Sequence, residues 1–222
     1  MHILITAATA AELLPAMELF QVSHNQGRKS FYVDTVETGI GSAATAYHTL
    51  KALSVKTETP YDLVINVGIA GAFCNSLPTG SVVRVVSDYF GDCGIQTASG
   101  FESLFDVNLL HADTFPFKSG KLTPLALSQE WEWKLASLPQ AKGVTMQHLV
   151  DANLSSPCQT PKADIETMEG AAFFYVCMNE RIPCLALRAI SNRVGERDKE
   201  RWNIPMAILG LKKTLISLAD IL

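Results

Sequence analysis

The sequence lacks paired cysteines, blocks of like charge and any apolar run long enough to span a bilayer. Its five cysteines, Cys74, Cys93, Cys158, Cys177 and Cys184, are scattered, odd in number and never in a C-x-x-C pair. Such spacing argues against a disulfide framework or a zinc site and suits core thiols in a reducing compartment. Eighteen Lys and Arg against 22 Asp and Glu give a formal charge of −4 with no basic stripe. No nucleic-acid partner is expected. The apolar stretch from Ile3 to Ala11 has no basic flank and meets Glu12, so it fails as a signal peptide and is too short to cross a membrane. A cytoplasmic location is the expectation. What is present is 222 residues, 48% hydrophobic, with mean hydropathy +0.17, enough for one substantial core. A single domain over residues 1–222, a small-molecule partner, no metal and no cofactor follow as expectations.

The run from His2 to Ala8 reads as a strand, and Thr9 to Phe20, with Leu13, Leu14, Met17 and Phe20 at helical spacing, as the helix after it. Further strands are expected at Phe31 to Thr38, Asp62 to Val67, Ser81 to Tyr89, Gly143 to Met146 and Cys184 to Ile190. Several are continuous apolar runs of the kind buried on both faces. Helices are expected at Ser42 to Leu53, Thr123 to Leu138, Asp164 to Glu180 and Lys199 to Leu222. This alternation predicts an α/β layered fold with a mostly parallel central sheet and ligands at the carboxyl ends of its strands. Residues 91–122 are long and weakly periodic, which suggests a functional loop or lid insertion.

Gly39-Ile-Gly-Ser-Ala-Ala44 formally matches the dinucleotide fingerprint G-x-G-x-x-A. It lies on the second β-α unit, and Glu58 is the only acidic residue near the ribose-binding position, so a tight turn that lets backbone approach a ligand or another strand is preferred. Asn66-Val-Gly-Ile-Ala-Gly-Ala-Phe73 ends a buried strand in small residues, which reads either as a plain turn or as backbone facing a flat heterocycle. Glu12 in a first helical turn is either a dipole partner or a functional carboxylate. Glu166 and Glu169 fall three apart at a helix start, on neighbouring faces, and the Gly-Ala-Ala after Glu169 suits close packing. Arg188-Ala-Ile-Ser-Asn-Arg193 closes the last strand, where Asn192 is either a strand-stop residue or a polar group held for a ligand.

Taken together, these pieces resemble the purine nucleoside phosphorylase and methylthioadenosine/adenosylhomocysteine nucleosidase superfamily over nearly the full chain. The shared features are the β-α start with Glu12, the Gly39-Ile-Gly41 turn, Val67-Gly-Ile-Ala-Gly71, Met168-Glu-Gly-Ala-Ala172 and Arg188-Ala-Ile-Ser191. The methylthioadenosine nucleosidases carry an aspartate after the Arg-Ala-Ile-Ser run, whereas this chain has Asn192. That asparagine, the Glu166-Thr-Met-Glu169 spacing and the Arg197-Asp198 pair resemble the futalosine hydrolases. The resemblance implies a three-layer, nucleoside phosphorylase-like fold with a nine- or ten-stranded mixed, barrel-like sheet, flanking helices and a homo-oligomer, dimer or tetramer.

The implied activity is hydrolysis of a purine nucleoside through an oxocarbenium-like sugar. Glu169 would hold the ribose hydroxyls and stabilise the cation, Glu12 would activate water, and Asn192 would donate to O6 and accept from protonated N7 of hypoxanthine. By resemblance Met168 would be an apolar wall, Phe73 is a further candidate for that wall outside the resemblance, and backbone at Gly41, Ala70 and Gly71 would frame the substrate. Phe101 and Phe105 read either as cover for a 5′ substituent, across a subunit boundary, or as ordinary helix packing. The rival activities are adenine-nucleoside cleavage and phosphorolysis. A phosphorylase needs a basic cradle, and Thr6-Ala-Ala-Thr-Ala-Ala-Glu12 offers none. The non-enzyme rival is a nucleoside-binding protein, which would not need the water-activating Glu12.

Overall fold

The computed structural model describes residues 1–25, 32–55, 59–148, 163–196 and 198–219. Glu58, Cys158 and Arg197 lie outside the described residues, as do the first residue of the expected strand from Phe31 and the last three of the helix expected to reach Leu222. The elements run β1 (His2–Ala7), α1 (Ala10–Asn25), β2 (Tyr32–Glu37), α2 (Ser42–Ser54), β3 (Leu63–Ala72), β4 (Val82–Ser87), β5 (Gly94–Thr97), β6 (Gly100–Ser103), α3 (Gln129–Lys134), β7 (Gln140–Thr145), β8 (Ile165–Thr167), α4 (Gly170–Asn179), β9 (Cys184–Arg193) and α5 (Ile204–Ala219).

Seven strands form one mixed sheet in the order β2-β1-β3-β8-β7-β4-β9, and a further pairing of β3 with β9 closes it. The closed part is the ring β3-β8-β7-β4-β9, with β1 and β2 as a parallel extension. Five pairings are parallel and two, β3–β8 and β4–β9, are antiparallel. The sheet is therefore barrel-like and mixed as expected, with seven strands among the described residues rather than nine or ten.

Cover on both faces explains why β1, β3 and β9 read as continuous apolar runs. Ile3, Ile5, Leu63, Ile65, Val67, Leu185 and Leu187 face one core, completed by Leu13 and Ala16 of α1 and Leu211 and Leu215 of α5. The intervening Leu4, Val64 and Ala186 face a second core with Phe173, Phe174 and Cys177 of α4. Each fully buried Leu, Ile, Val or Phe contributes about 1.5–3 kcal/mol, so neither face tolerates a polar residue without a partner. The long β3 and β9 run side by side until a register shift at Ala70/Gly71, a bulge that turns the strand end.

Three elements differ from expectation. The helix expected from Asp164 to Glu180 begins as a strand, because Ile165 and Thr167 are buried and the segment pairs with β3 and β7; pairing overrides local helical spacing. Glu166 is thus a strand residue, not a helical neighbour of Glu169. The helix expected from Thr123 to Leu138 contracts to Gln129–Lys134, where the Ser128 side chain accepts from Trp131 N–H and caps the helix start. Within residues 91–122 lies the β5–β6 hairpin, so Phe101 and Phe105 are not helical partners. Phe105 packs edge-on against Phe117, with ring centres 5.4 Å apart.

Candidate active site

A cavity of about 390 Å³ opens at the carboxyl ends of β1, β3, β8 and β9, between Glu12, Gly71, Met168, Glu169 and Asn192. Its remaining wall is mostly apolar and includes Ile40, Trp202, Ile204 and Ile208. Parallel strands place chain reversals and helix starts at this end, so backbone N–H groups and polar side chains converge there.

Glu12 is only 7% exposed. Thr9 and Glu12 form a reciprocal cap: Thr9 N–H and Oγ1 donate to Glu12 Oε2 at 3.0 and 2.7 Å, and Glu12 N–H reaches Thr9 Oγ1 at 3.4 Å. This is the T-x-x-E capping box. The second oxygen, Oε1, leaves the helix and accepts from Ile69 N–H of β3 at 3.0 Å. Gly68 makes room for it, since a Cβ there would lie 3.1 Å from Oε1.

Glu169 occupies the N-cap position of α4, yet its side chain makes no cap hydrogen bond. Its Oε1 accepts from Gly41 N–H at 3.0 Å and its Oε2 from Met168 N–H at 3.2 Å. Gly39 and Gly41 both have φ near +90°, which brings this amide inward at a turn that only glycine adopts without strain. Burial pushes the Glu169 carboxyl above its usual range; the Gly41 amide and Arg188 oppose the shift, and Glu12 adds to it.

Two buried groups gained no role from the sequence. Arg188, 1% exposed, donates to the Asn66 and Leu187 carbonyls at 3.2 and 3.0 Å and to the Asn66 side chain. Burial lowers its pKa, while Glu169, Glu12 and Asp88 hold the proton on. An arginine inside the apolar run Cys184-Leu-Ala-Leu-Arg-Ala-Ile190 was itself a signal, because a buried cation requires partners. Asp88, 1% exposed, is pushed up to about 7 by burial, against the hydrogen bonds from Thr145 and Tyr89 and the charge of Arg188.

Asn192, 8% exposed, accepts from Ser191 Oγ at 2.7 Å and donates to the Arg193 carbonyl at 2.8 Å. One amide hydrogen and one lone pair remain for a ligand. Of the residues expected from sequence, Glu12, Glu169, Asn192, Ala70, Gly71 and Met168 border the cavity, and Gly41 reaches it through Glu169. Phe73 does not: it is 39% exposed beyond the end of β3, with its N–H on the Asp164 carbonyl. Neither Phe101 nor Phe105 borders the cavity in this single chain. The Ile69–Ala72 backbone is largely ladder rather than open loop. Trp202, which the sequence reading left out, stands in the wall with its indole N–H fixed to the Glu196 carbonyl at 2.8 Å.

The family model of the phosphorylase superfamily matches residues 28–209. Futalosine hydrolase of Streptomyces coelicolor is 29% identical over 100% of this chain and 97% of its own length. Futalosine hydrolase of Thermus thermophilus is 26% identical over 81% and 78%. The 5′-methylthioadenosine/S-adenosylhomocysteine nucleosidase of Aeromonas salmonicida is 29% identical over 78% and 74%. Among solved structures, futalosine hydrolase of Helicobacter pylori superposes with TM-score 0.75 at 18% identity over 100% of this chain and 98% of that one. The Neisseria meningitidis nucleosidase in complex with methylthio-immucillin-A gives TM-score 0.75 at 18% identity, over 100% and 99%. At those identities the structures share the fold.

Proposed function

This chain belongs to the phosphorylase superfamily, and from that membership we propose that it is a single-domain nucleosidase that hydrolyses futalosine to hypoxanthine and dehypoxanthine futalosine, in menaquinone biosynthesis. The observation that carries the reading is the pair of anchored carboxylates, Glu12 and Glu169, converging on one cavity beside Asn192. The base takes a proton from solvent at N7 and leaves with the electron pair of the breaking glycosidic C–N bond; water attacks C1′, and Glu12 takes the proton that this water gives up. Glu169 stabilises the cationic ribose between. Met168, Ala70 and Gly71 bound the nucleoside, and the apolar wall at Trp202, Ile204 and Ile208 suits an aromatic 5′ substituent.

Hydrolysis is favoured over phosphorolysis because no described residue bordering the cavity is basic, and a phosphate nucleophile needs cationic donors. The described helices include none long and apolar enough to cross a membrane. The proposal includes a cytoplasmic homo-oligomer, supported by the exposed Ile40, Tyr47 and Leu50 in and beside α2.

The protein should release hypoxanthine from futalosine without phosphate, and added phosphate should yield no sugar 1-phosphate. Chromatography of the products, with inosine, methylthioadenosine and adenosylhomocysteine in parallel, decides the matter: a phosphorylated sugar, or faster release of adenine, overturns the reading.

Gly68→Ala tests the Glu12 anchor without touching a carboxylate. The added methyl requires Oε1 to move by a few tenths of an ångström, and catalytic geometry is sensitive to such shifts, so kcat should fall roughly tenfold. Steady-state kinetics at unchanged Tm is the check; wild-type kcat would mean that Glu12 works from another position.

A further inference from the structure

Glu169 sits at the N-cap of α4 but does not cap it. A helix start leaves its first amides without intrahelical acceptors, and a buried orphan amide is costly, so something else must satisfy them. Gly170 N–H donates to Thr167 Oγ1 at 3.2 Å, and Ala171 N–H to Thr145 Oγ1 at 2.7 Å. Thr145 is fully buried, and its hydroxyl proton goes to Asp88 Oδ1 at 2.9 Å, which also accepts from Tyr89 N–H at 2.7 Å. The other oxygen, Oδ2, has no hydrogen-bond partner. It sits in a notch where a Cβ at Gly143 or Gly170 would lie 2.4 or 2.2 Å away.

We propose that Asp88 and Thr145 are positioning residues that cap α4 from the neighbouring strand, so that the Glu169 carboxylate is released from capping and held in the cavity. Asp88 takes the Thr145 hydroxyl proton, which leaves the oxygen's lone pairs to Ala171 N–H and to Thr167 Oγ1 at 3.4 Å. With the helix start fixed by β7 and β8, the Glu169 side chain turns to Gly41 instead of its own helix. The Ser, Thr or Asp that ordinarily caps a helix would serve the helix alone; here the cap and the functional carboxylate are separate residues.

The inference rests on the role assigned to Glu169 above, and its test has one arm that needs no substrate. Thr145→Val keeps the shape and removes the hydroxyl; Thr145→Ser keeps the hydroxyl. In Thr145→Val, hydrogen exchange of the α4 first-turn amides should accelerate at least tenfold over wild type, while exchange in the β1–β3 ladder stays unchanged. On futalosine its kcat should fall by about 10-fold to 10²-fold, with KM changing less than threefold. Thr145→Ser should restore kcat to within about threefold of wild type. Asp88→Ala should match Thr145→Val, and the double variant should be no worse than the poorer single variant, as for residues acting in one relay. Unchanged exchange at α4, or Val and Ser variants equally impaired, overturns the proposal. Inactivity of the wild-type protein on nucleosides would instead remove the activity reading and leave the exchange arm standing.

Discussion

Asn192→Asp should abolish most hypoxanthine release and invert the preference between 6-oxo and 6-amino substrates. In the wild type the free amide hydrogen can be donated to O6, and the free lone pair can accept a hydrogen bond from the proton that N7 carries. An aspartate replaces that donor with an acceptor facing O6 at a largely buried position, and a site built to hydrogen-bond one group rejects its mismatch by up to about 10⁴-fold. Ser191 Oγ holds Oδ1 at 2.7 Å, an interaction that aspartate keeps, whereas the donation to the Arg193 carbonyl is lost, so the side chain should stay anchored at one oxygen and turn the other away from that carbonyl. A 6-amino analogue with the same 5′ group should gain activity, because a carboxylate can accept from the amino group. Matched kcat/KM values for the two substrates, in both proteins, provide the measurement. An unchanged ratio would show that Asn192 does not read the base.

Glu12→Gln and Glu169→Gln should each lower kcat by about 10²-fold or more, through loss of the base and of the charge opposite the ribose cation. Both carboxylates use both oxygens as acceptors: Thr9 and Ile69 donate to Glu12, Gly41 and Met168 to Glu169. A glutamine can serve only one side, so each variant leaves a backbone amide unmatched and should lose about 1–3 kcal/mol of stability as well. Calorimetry separates that loss from catalysis, since both variants should remain folded at 25 °C. Glu169 acts while ionised, and its pKa is raised by burial. Activity should therefore disappear as pH falls through a midpoint above that of an ordinary glutamate, and Glu169→Gln should erase that limb of the kcat profile. Turnover near wild type in either variant would remove that residue from the mechanism.

The parallel part of the sheet was legible because burial on both faces writes itself as unbroken apolar runs: Cys184 to Ile190 needs no tertiary information to read as a strand. β8 was not legible. Its three residues, Ile165-Glu-Thr167, are too few to show a period, and Gly-Ala-Ala-Phe-Phe behind them pulled the reading toward one long helix. Glu12 and Glu169 stand out by position, and their roles come from the resemblance; the Thr9–Glu12 capping box is also written in the sequence, as T-x-x-E. Arg188 stands in the Arg-Ala-Ile-Ser motif, but its three carboxyl neighbours come together around it only in the fold. Asp88 could not be found, since what distinguishes it is a notch between Gly143 and Gly170 that residues far apart in the chain make only on folding.

Barrel closure also sets an order of assembly. β9 pairs with β3 along Val64 to Ala72 and with β4 along Val82 to Val85, so both strands present open edges until nearly the whole chain has been synthesised. Contacts so distant in sequence slow folding, and edges left open in the meantime invite pairing with other chains. The strand that ends this exposure is also the one that brings in Arg188 and Asn192. A ribosome-bound chain stopped short of residue 184 should consequently be prone to aggregation and unable to bind a nucleoside, and both properties should change together when β9 emerges.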